Sequence, residues 1–314
     1  MTPTAAILQR FEAHLDPTRP TASAEPVEIV GYGEVSTVFC LAALPDRVCK
    51  RMAGFRDVAA VERYVEVVQR YIERLTELDV QVAETVPVRV HTPASGHVVY
   101  LLQSRLAPTG LGNHLLRAAD DSVLFAALEH VLTRVRVLLL ANRAARDGRT
   151  ITVDAQLSNW HFPVYGNAVG APMLIDIGTP FMRLNGVDEM GIELFLAPVP
   201  APMRPLYRRA RLVERYIDDY FDAAKLLTDL LGNFHKEGRP ERIDVALAYV
   251  NRWLGGAGAD LGARAVTRAA VDRYYRKDAQ LLELFLKVRR LDRFVRTRAL
   301  RQRYNFILPG PIQR

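Results

Sequence analysis

Apolar and β-branched residues first gather in three short runs, at 27–31, 35–42 and 47–52, which predicts three β-strands after a Pro-rich linker at Asp16 to Pro26. Residues 4–15 predict a short amphipathic helix ahead of that linker. From Asp57 to Leu78 the period changes: Val58, Val61, Val65, Val68, Ile72 and Leu75 recur at steps of three and four, which is one stripe of an α-helix. Val86–His91 and His97–Leu102, joined by a Thr-Pro-Ala-Ser-Gly turn, predict a further hairpin. Five strands and one helix therefore lie between residues 27 and 103.

The pattern beyond it is mainly helical. Helices are expected at 113–119 and 122–145, then a strand at Thr150–Val153 and a hairpin formed by Trp160–Tyr165 and Pro172–Ile177. Helical spacing resumes at Tyr207–Leu231, Ile243–Leu254 and Val266–Arg303, with a glycine-rich break at Gly255–Gly262.

Two strings in this second half carry chemistry. Asp154-Ala-Gln-Leu-Ser-Asn159 follows the strand, and Leu174-Ile-Asp176-Ile-Gly178 ends the hairpin. A carboxylate facing an acceptor, an amide oxygen and a second carboxylate at a strand end are a donor set suited to a hard cation and phosphates. Upstream, Gly31-Tyr-Gly33 precedes Ser36 and Val38 in a strand–turn–strand, and glycines let backbone N–H groups approach phosphate oxygens. Lys50 is the sole lysine in the first 224 residues of an arginine-rich chain, which gives its compact ammonium a reason.

In this order the strings resemble the protein-kinase-like superfamily, over about residues 27–180. The resemblance implies an α+β, two-lobed fold: an N-terminal helix and linker at 1–26, a small antiparallel β-sheet lobe at 27–103 and a larger helical lobe at 104–314. It implies ATP and Mg²⁺ as cofactors, with Asp154 as the catalytic carboxylate and Asn159 and Asp176 as metal ligands. Lys50 would hold the α/β-phosphates and Glu62, with Glu66 one turn further along as the alternative, would fix it. Gly31, Gly33, Ser36 and Val38 would cover the nucleotide, and Gln103 and Arg105 belong to the hinge against adenine. Gln156 would donate a hydrogen bond to the transferred phosphoryl group.

The departures are informative. Thr152 and Val153 stand where protein kinases have His-Arg before the catalytic Asp, and Ala197-Pro-Val199 lacks the glutamate of Ala-Pro-Glu. They favour a phosphotransferase acting on a small-molecule hydroxyl, nearest in character to aminoglycoside and choline kinases. A pseudokinase-type nucleotide-binding scaffold, or an enzyme transferring a nucleotidyl group or activating a carboxylate, is the alternative.

Composition fits without deciding. The 314 residues are 49% apolar with a net charge of +7, and no run is long enough to span a bilayer. The start lacks a signal-peptide pattern, so a cytoplasmic protein with no membrane partner is expected. Nucleic acid is disfavoured as a partner. The basic stretch from Lys287 to Arg303 reads as a solvated helix face on the large lobe, with an electrostatic surface for an anionic ligand as the alternative. Cys40 and Cys49 are expected as free thiols facing each other across a hairpin, and His161 as structural.

Overall fold

The computed structural model describes residues 2–33, 35–166 and 168–310. Helix α1 (Pro3–His14) is followed by β1 (Val27–Tyr32), β2 (Ser36–Leu41), β3 (Arg47–Phe55), α2 (Val58–Glu77), β4 (Thr85–Thr92) and β5 (Gly96–Ser104). The five strands make one antiparallel sheet in the order β1-β2-β3-β5-β4. Side chains alternate between faces along a strand. The register sets Val38, Lys50 and Leu101 abreast on one face, and Phe39, Cys49 and Leu102 abreast on the other.

The first face turns inward. Met52, Val99 and Leu101 join Val61, Tyr64, Val65 and Val68 of α2 in a core continuous with the helical region. Asp57 caps α2 by accepting the Ala60 N–H at 2.8 Å, and the stripe of valines supplies its buried side. The second face is covered by Leu8 and Phe11 of α1, by Leu15 just after it and by Ile307 from the far end of the chain.

One buried ion pair fastens this outer layer. Arg51 of β3 meets Glu12 of α1 through two hydrogen bonds, at 2.8 and 2.7 Å, and donates a third to the carbonyl of Asn305 at 2.7 Å. The Tyr100 hydroxyl also donates to Glu12. Burial opposes the charge of Glu12, but the Arg51 guanidinium outweighs it and holds the carboxyl below its ordinary range.

The cysteines do not face each other. Cys49 stands opposite Phe39 and Cys40 opposite Val48, one residue off the expected register, and a one-residue offset sends the two thiols to opposite faces. Both are buried and free.

The helical region comprises α3 (Gly112–Ala118), α4 (Asp121–Ala144), short strands β6 (Arg149–Ile151), β7 (Trp160–His161), β8 (Val164–Tyr165), β9 (Ala168–Val169), β10 (Met173–Leu174), β11 (Met182–Leu184) and β12 (Val187–Asp188), then α5 (Glu193–Leu196), α6 (Arg204–Arg209), α7 (Leu212–Tyr220), α8 (Ala223–Lys236), α9 (Ile243–Gly255) and α10 (Arg268–Phe294). The expected pairing of the hairpin forms as β7 with β10. The helix expected at 207–231 is three helices, because Arg211 turns left-handed at φ 51° and Asp222 starts α8 as a new N-cap. Helix α10 stops at Phe294 and widens into a π turn at Val295–Ala299, after which residues 304–308 return to the sheet.

Candidate functional site

The segment leading to Asp154 is held on three sides. Thr152 donates its hydroxyl to Tyr220 O at 2.9 Å, its N–H goes to Phe181 O at 2.9 Å, and its carbonyl accepts from the Tyr71 hydroxyl at 2.7 Å. A buried hydroxyl with all its partners fixes the backbone two residues before Asp154. The Asp154 carboxylate then folds over its own loop, accepting the Gln156 N–H at 3.1 Å. The 3₁₀ turn Leu157–Asn159 follows, pressed against α3. A Cβ on Gly112 would lie 1.7 Å from Leu157 O, so only glycine lets the helix start there.

Asp176 comes to the same place from the β7–β10 hairpin. The Ile175 N–H donates to Asn159 O at 2.9 Å, which ties the second string to the first. Lys50 Nζ lies 2.5 Å from Asp176 Oδ1, joining the sheet to the helical region across 126 positions of sequence. Gly178 lies against Lys50: a Cβ there would be 2.7 Å from Lys50 Cε and 2.9 Å from Nζ. A side chain at position 178 would therefore displace the lysine tip, and the glycine of Asp176-Ile-Gly178 leaves it room. Tyr64 of α2 donates its hydroxyl to Gly178 O at 3.0 Å and completes the clamp.

Several expected residues are placed differently. Glu62 does not reach Lys50; its carboxylate makes a bidentate pair with Arg89 of β4, at 2.7 Å to each oxygen. Its position on α2 borders the stripe on the side of the sheet edge, and Glu66 is exposed. Gln156, expected to face a phosphoryl group, is buried and directs its amide nitrogen to two carboxylates, Asp229 at 2.9 Å and Asp154 at 3.4 Å. Arg105 is exposed and leans toward Glu28 at 3.6 Å, while its N–H is bonded to Asp46 O. Gln103 spans the junction, donating to Thr85 Oγ1 at 3.0 Å and to Ile175 O at 2.8 Å.

The other residues singled out in the sequence lie as follows. Val38 is the cross-strand neighbour of Lys50, and Ser36 opens β2 as a buried residue. Gly31 lies in β1 beside a register shift, and Gly33 donates its N–H to Ser36 O at 3.1 Å to close the turn. Glu34 lies outside the described residues. Asn159 donates its side-chain amide weakly to Asp154 O at 3.4 Å. His161 is held by Ala107 O at 3.1 Å, as a structural residue is.

Four residues went unnoticed in the sequence: Asp229, Asn233, Tyr64 and Tyr71. Asp229 and Asn233 are one turn apart on α8 and almost fully buried. Asn233 donates to Gln156 Oε1 at 3.4 Å and to Ser158 Oγ at 3.2 Å, and accepts the Ser158 N–H at 3.2 Å. Lys236 Nζ stands 3.5 Å from Asp229 Oδ1. A readable signal existed, since Asp229 and Asn233 interrupt a leucine-rich stripe at Leu226, Leu227, Leu230 and Leu231 where polar groups need partners.

The two carboxylates of the motifs are pushed in opposite directions. Burial raises Asp154, and the charges of Asp229 and then Asp176 add to the rise; Lys236 and the Gln156 N–H pull the other way, leaving the carboxyl at about 8. Burial would raise Asp176 too, but the Lys50 ammonium outweighs it and holds the carboxyl below the usual range. One acid is poised to take up a proton near neutrality and the other stays ionised. Asn159 and Asp176 offer hard oxygens of the kind Mg²⁺ takes from protein when phosphates supply the rest of its shell. Among the described residues no group of three or more His, Cys, Asp or Glu converges as a metal site. A cavity of about 100 Å³ between α2 and β6, bordered by Arg70, Arg74 and Arg149, contains none of these groups.

Residues 15–293 match the family described as DUF6206, a family of unknown function. The chain belongs to that family. Among curated proteins, none matches this DUF6206 chain. No helix among its described residues is long and apolar enough to cross a membrane.

Proposed function

We propose that this DUF6206 protein is an ATP- and Mg²⁺-dependent phosphotransferase of kinase-like, two-lobed build that phosphorylates a hydroxyl of a small molecule. The observation that carries the reading is the convergence of Lys50, Asp176 and Asp154. A lone lysine from the sheet meets the carboxylate of Asp176-Ile-Gly178, beside a second carboxylate of opposite proton affinity.

Asp154 accepts the proton of the acceptor hydroxyl and orients its oxygen; its raised affinity for protons brings it close to the working pH, where a general base is most effective. Lys50 neutralises phosphate charge as a point cation with three donors. Asn159 and Asp176 would hold Mg²⁺, which supplies charge neutralisation on the phosphates. Gln156, Asp229 and Asn233 fix the loop from beneath, so the loop is ordered before an acceptor arrives. Thr152-Val153 in place of His-Arg supports a small-molecule acceptor, because it removes the arginine that would receive an activation-loop phosphate.

A nucleotide-binding scaffold is favoured by one observation, the engagement of Glu62 with Arg89 rather than with Lys50. Thermal shift with Mg·ATP, followed by mass analysis of a metabolite panel incubated with Mg·ATP, separates the two. A phosphorylated metabolite supports transfer, binding alone supports the scaffold, a nucleotidyl adduct supports a different transfer, and no ATP binding defeats all three.

A further inference from the structure

Helix α10 is amphipathic twice over. One side, through Val271, Leu286 and Arg289, is buried against the helical region. The other side carries Leu281, Leu284, Leu291 and Phe294, which are 56%, 55%, 63% and 62% exposed. At about 100° per residue, these four and the exposed cations Arg273, Arg276, Lys277 and Lys287 fall in one sector about 140° wide. Val295, Arg298, Leu300 and Arg301 extend the exposed apolar and basic surface past the end of the helix. From Arg268 to Arg301 the exposed charges are six cations against one carboxylate, Glu283.

Isolated exposed leucines need no explanation, but a row of them on one helix does. The 27 residues of α10 make a rod about 40 Å long. Its exposed side is the convex surface of a single helix, which suits a broad planar partner. The charge narrows the choice to an anionic one. Nucleic acid would be met by the cations and leave the leucines in water, whereas a bilayer surface with anionic headgroups takes both. An amphipathic helix with basic flanks and Leu/Phe along its centre lies in such an interface without crossing it.

We infer that the exposed face of α10, from Arg273 to Arg301, docks this protein on an anionic phospholipid surface. Attachment is peripheral, with no described helix able to cross the bilayer; it departs from the expectation of no membrane partner and is independent of the reaction proposed for the Asp154 site.

The test is co-sedimentation of the full chain with phosphatidylcholine vesicles, with and without phosphatidylserine, at two salt concentrations. Binding is expected only to the phosphatidylserine vesicles and weakens at high salt, because exposed charges are screened. The double variant Leu284→Ser/Leu291→Ser should lower the partition by on the order of tenfold or more, from the lost apolar burial. The charge reversal Lys287→Glu should lower it by roughly fivefold or more. Circular-dichroism melting establishes that both variants fold. Absence of binding to phosphatidylserine vesicles, equal binding to neutral ones, or folded variants that bind like the parent would overturn the inference. So would a dimer in light scattering that the leucine variant abolishes while vesicle binding stays absent, since the face would then cover a second copy.

Discussion

Asp229→Asn removes one negative charge from beneath Asp154 while keeping a side chain that can accept from Gln156. Both carboxylates accept from one Gln156 amide nitrogen, at 3.4 and 2.9 Å. They therefore stand roughly 6 Å apart or less, and at an effective dielectric of ~20 two like charges at that distance repel by about 3 kcal/mol. That corresponds to about two pH units in the Asp154 pKa. Lys236, 3.5 Å from Asp229, cancels part of it, so a fall of roughly one unit is expected on removing the charge. Titration of ¹³C-carboxyl-labelled aspartates by NMR reads this without a substrate, with Asp154 identified by its absence in Asp154→Asn. The parent should show one aspartate titrating well above the ordinary range, and Asp229→Asn should bring it down. An Asp154 that titrates in the ordinary range in the parent, or that ignores Asp229→Asn, would refute the reasoning.

The same raised pKa has a consequence for folding. A carboxyl with higher proton affinity folded than unfolded favours the folded state at low pH, and the benefit is lost as pH rises through its folded pKa. Asp154→Asn should therefore melt several degrees above the parent at pH 8, with the gap shrinking toward pH 4. Gly178→Ala brings a Cβ within 2.7 Å of Lys50 Cε, so Mg·ATP affinity should fall about tenfold or more by calorimetry, from displaced ammonium geometry. Glu62→Gln, in contrast, should leave that affinity within about twofold, because Glu62 is engaged by Arg89; the half-exposed pair is worth little to stability either. Glu12→Ala strands the buried Arg51 and should cost about 3–5 kcal/mol in urea denaturation.

The sheet and α2 were legible because their signals are local. The short apolar runs at 27–31 and 47–52 and the valine stripe from Val58 to Leu75 mark their elements locally, and the structure follows them to within a few residues. Side-chain partnerships were less so. Glu62 and Glu66 were judged from the helix surface alone, but the partner of Glu62 is Arg89, brought alongside by a hairpin later in the chain. The cysteine register failed for a related reason, since the turn after Leu41 is asymmetric by one residue and no local pattern counts it. Asp229 is reached only through α8, and the tail carrying Asn305 and Ile307 returns to the sheet after some 200 residues of helical region. Such long-range contacts are set by packing, not by periodicity.

The most direct test of the phosphotransferase assignment is transfer of the labelled γ-phosphate of ATP to members of a metabolite panel, run in parallel on the parent chain and Asp154→Asn, with nucleotide affinity measured for both. The account predicts a labelled small molecule from the parent, none from Asp154→Asn, and similar Mg·ATP affinity in the two. A parent that binds no ATP with Mg²⁺ or Mn²⁺, or an Asp154→Asn variant that transfers phosphate as fast as the parent, would contradict it.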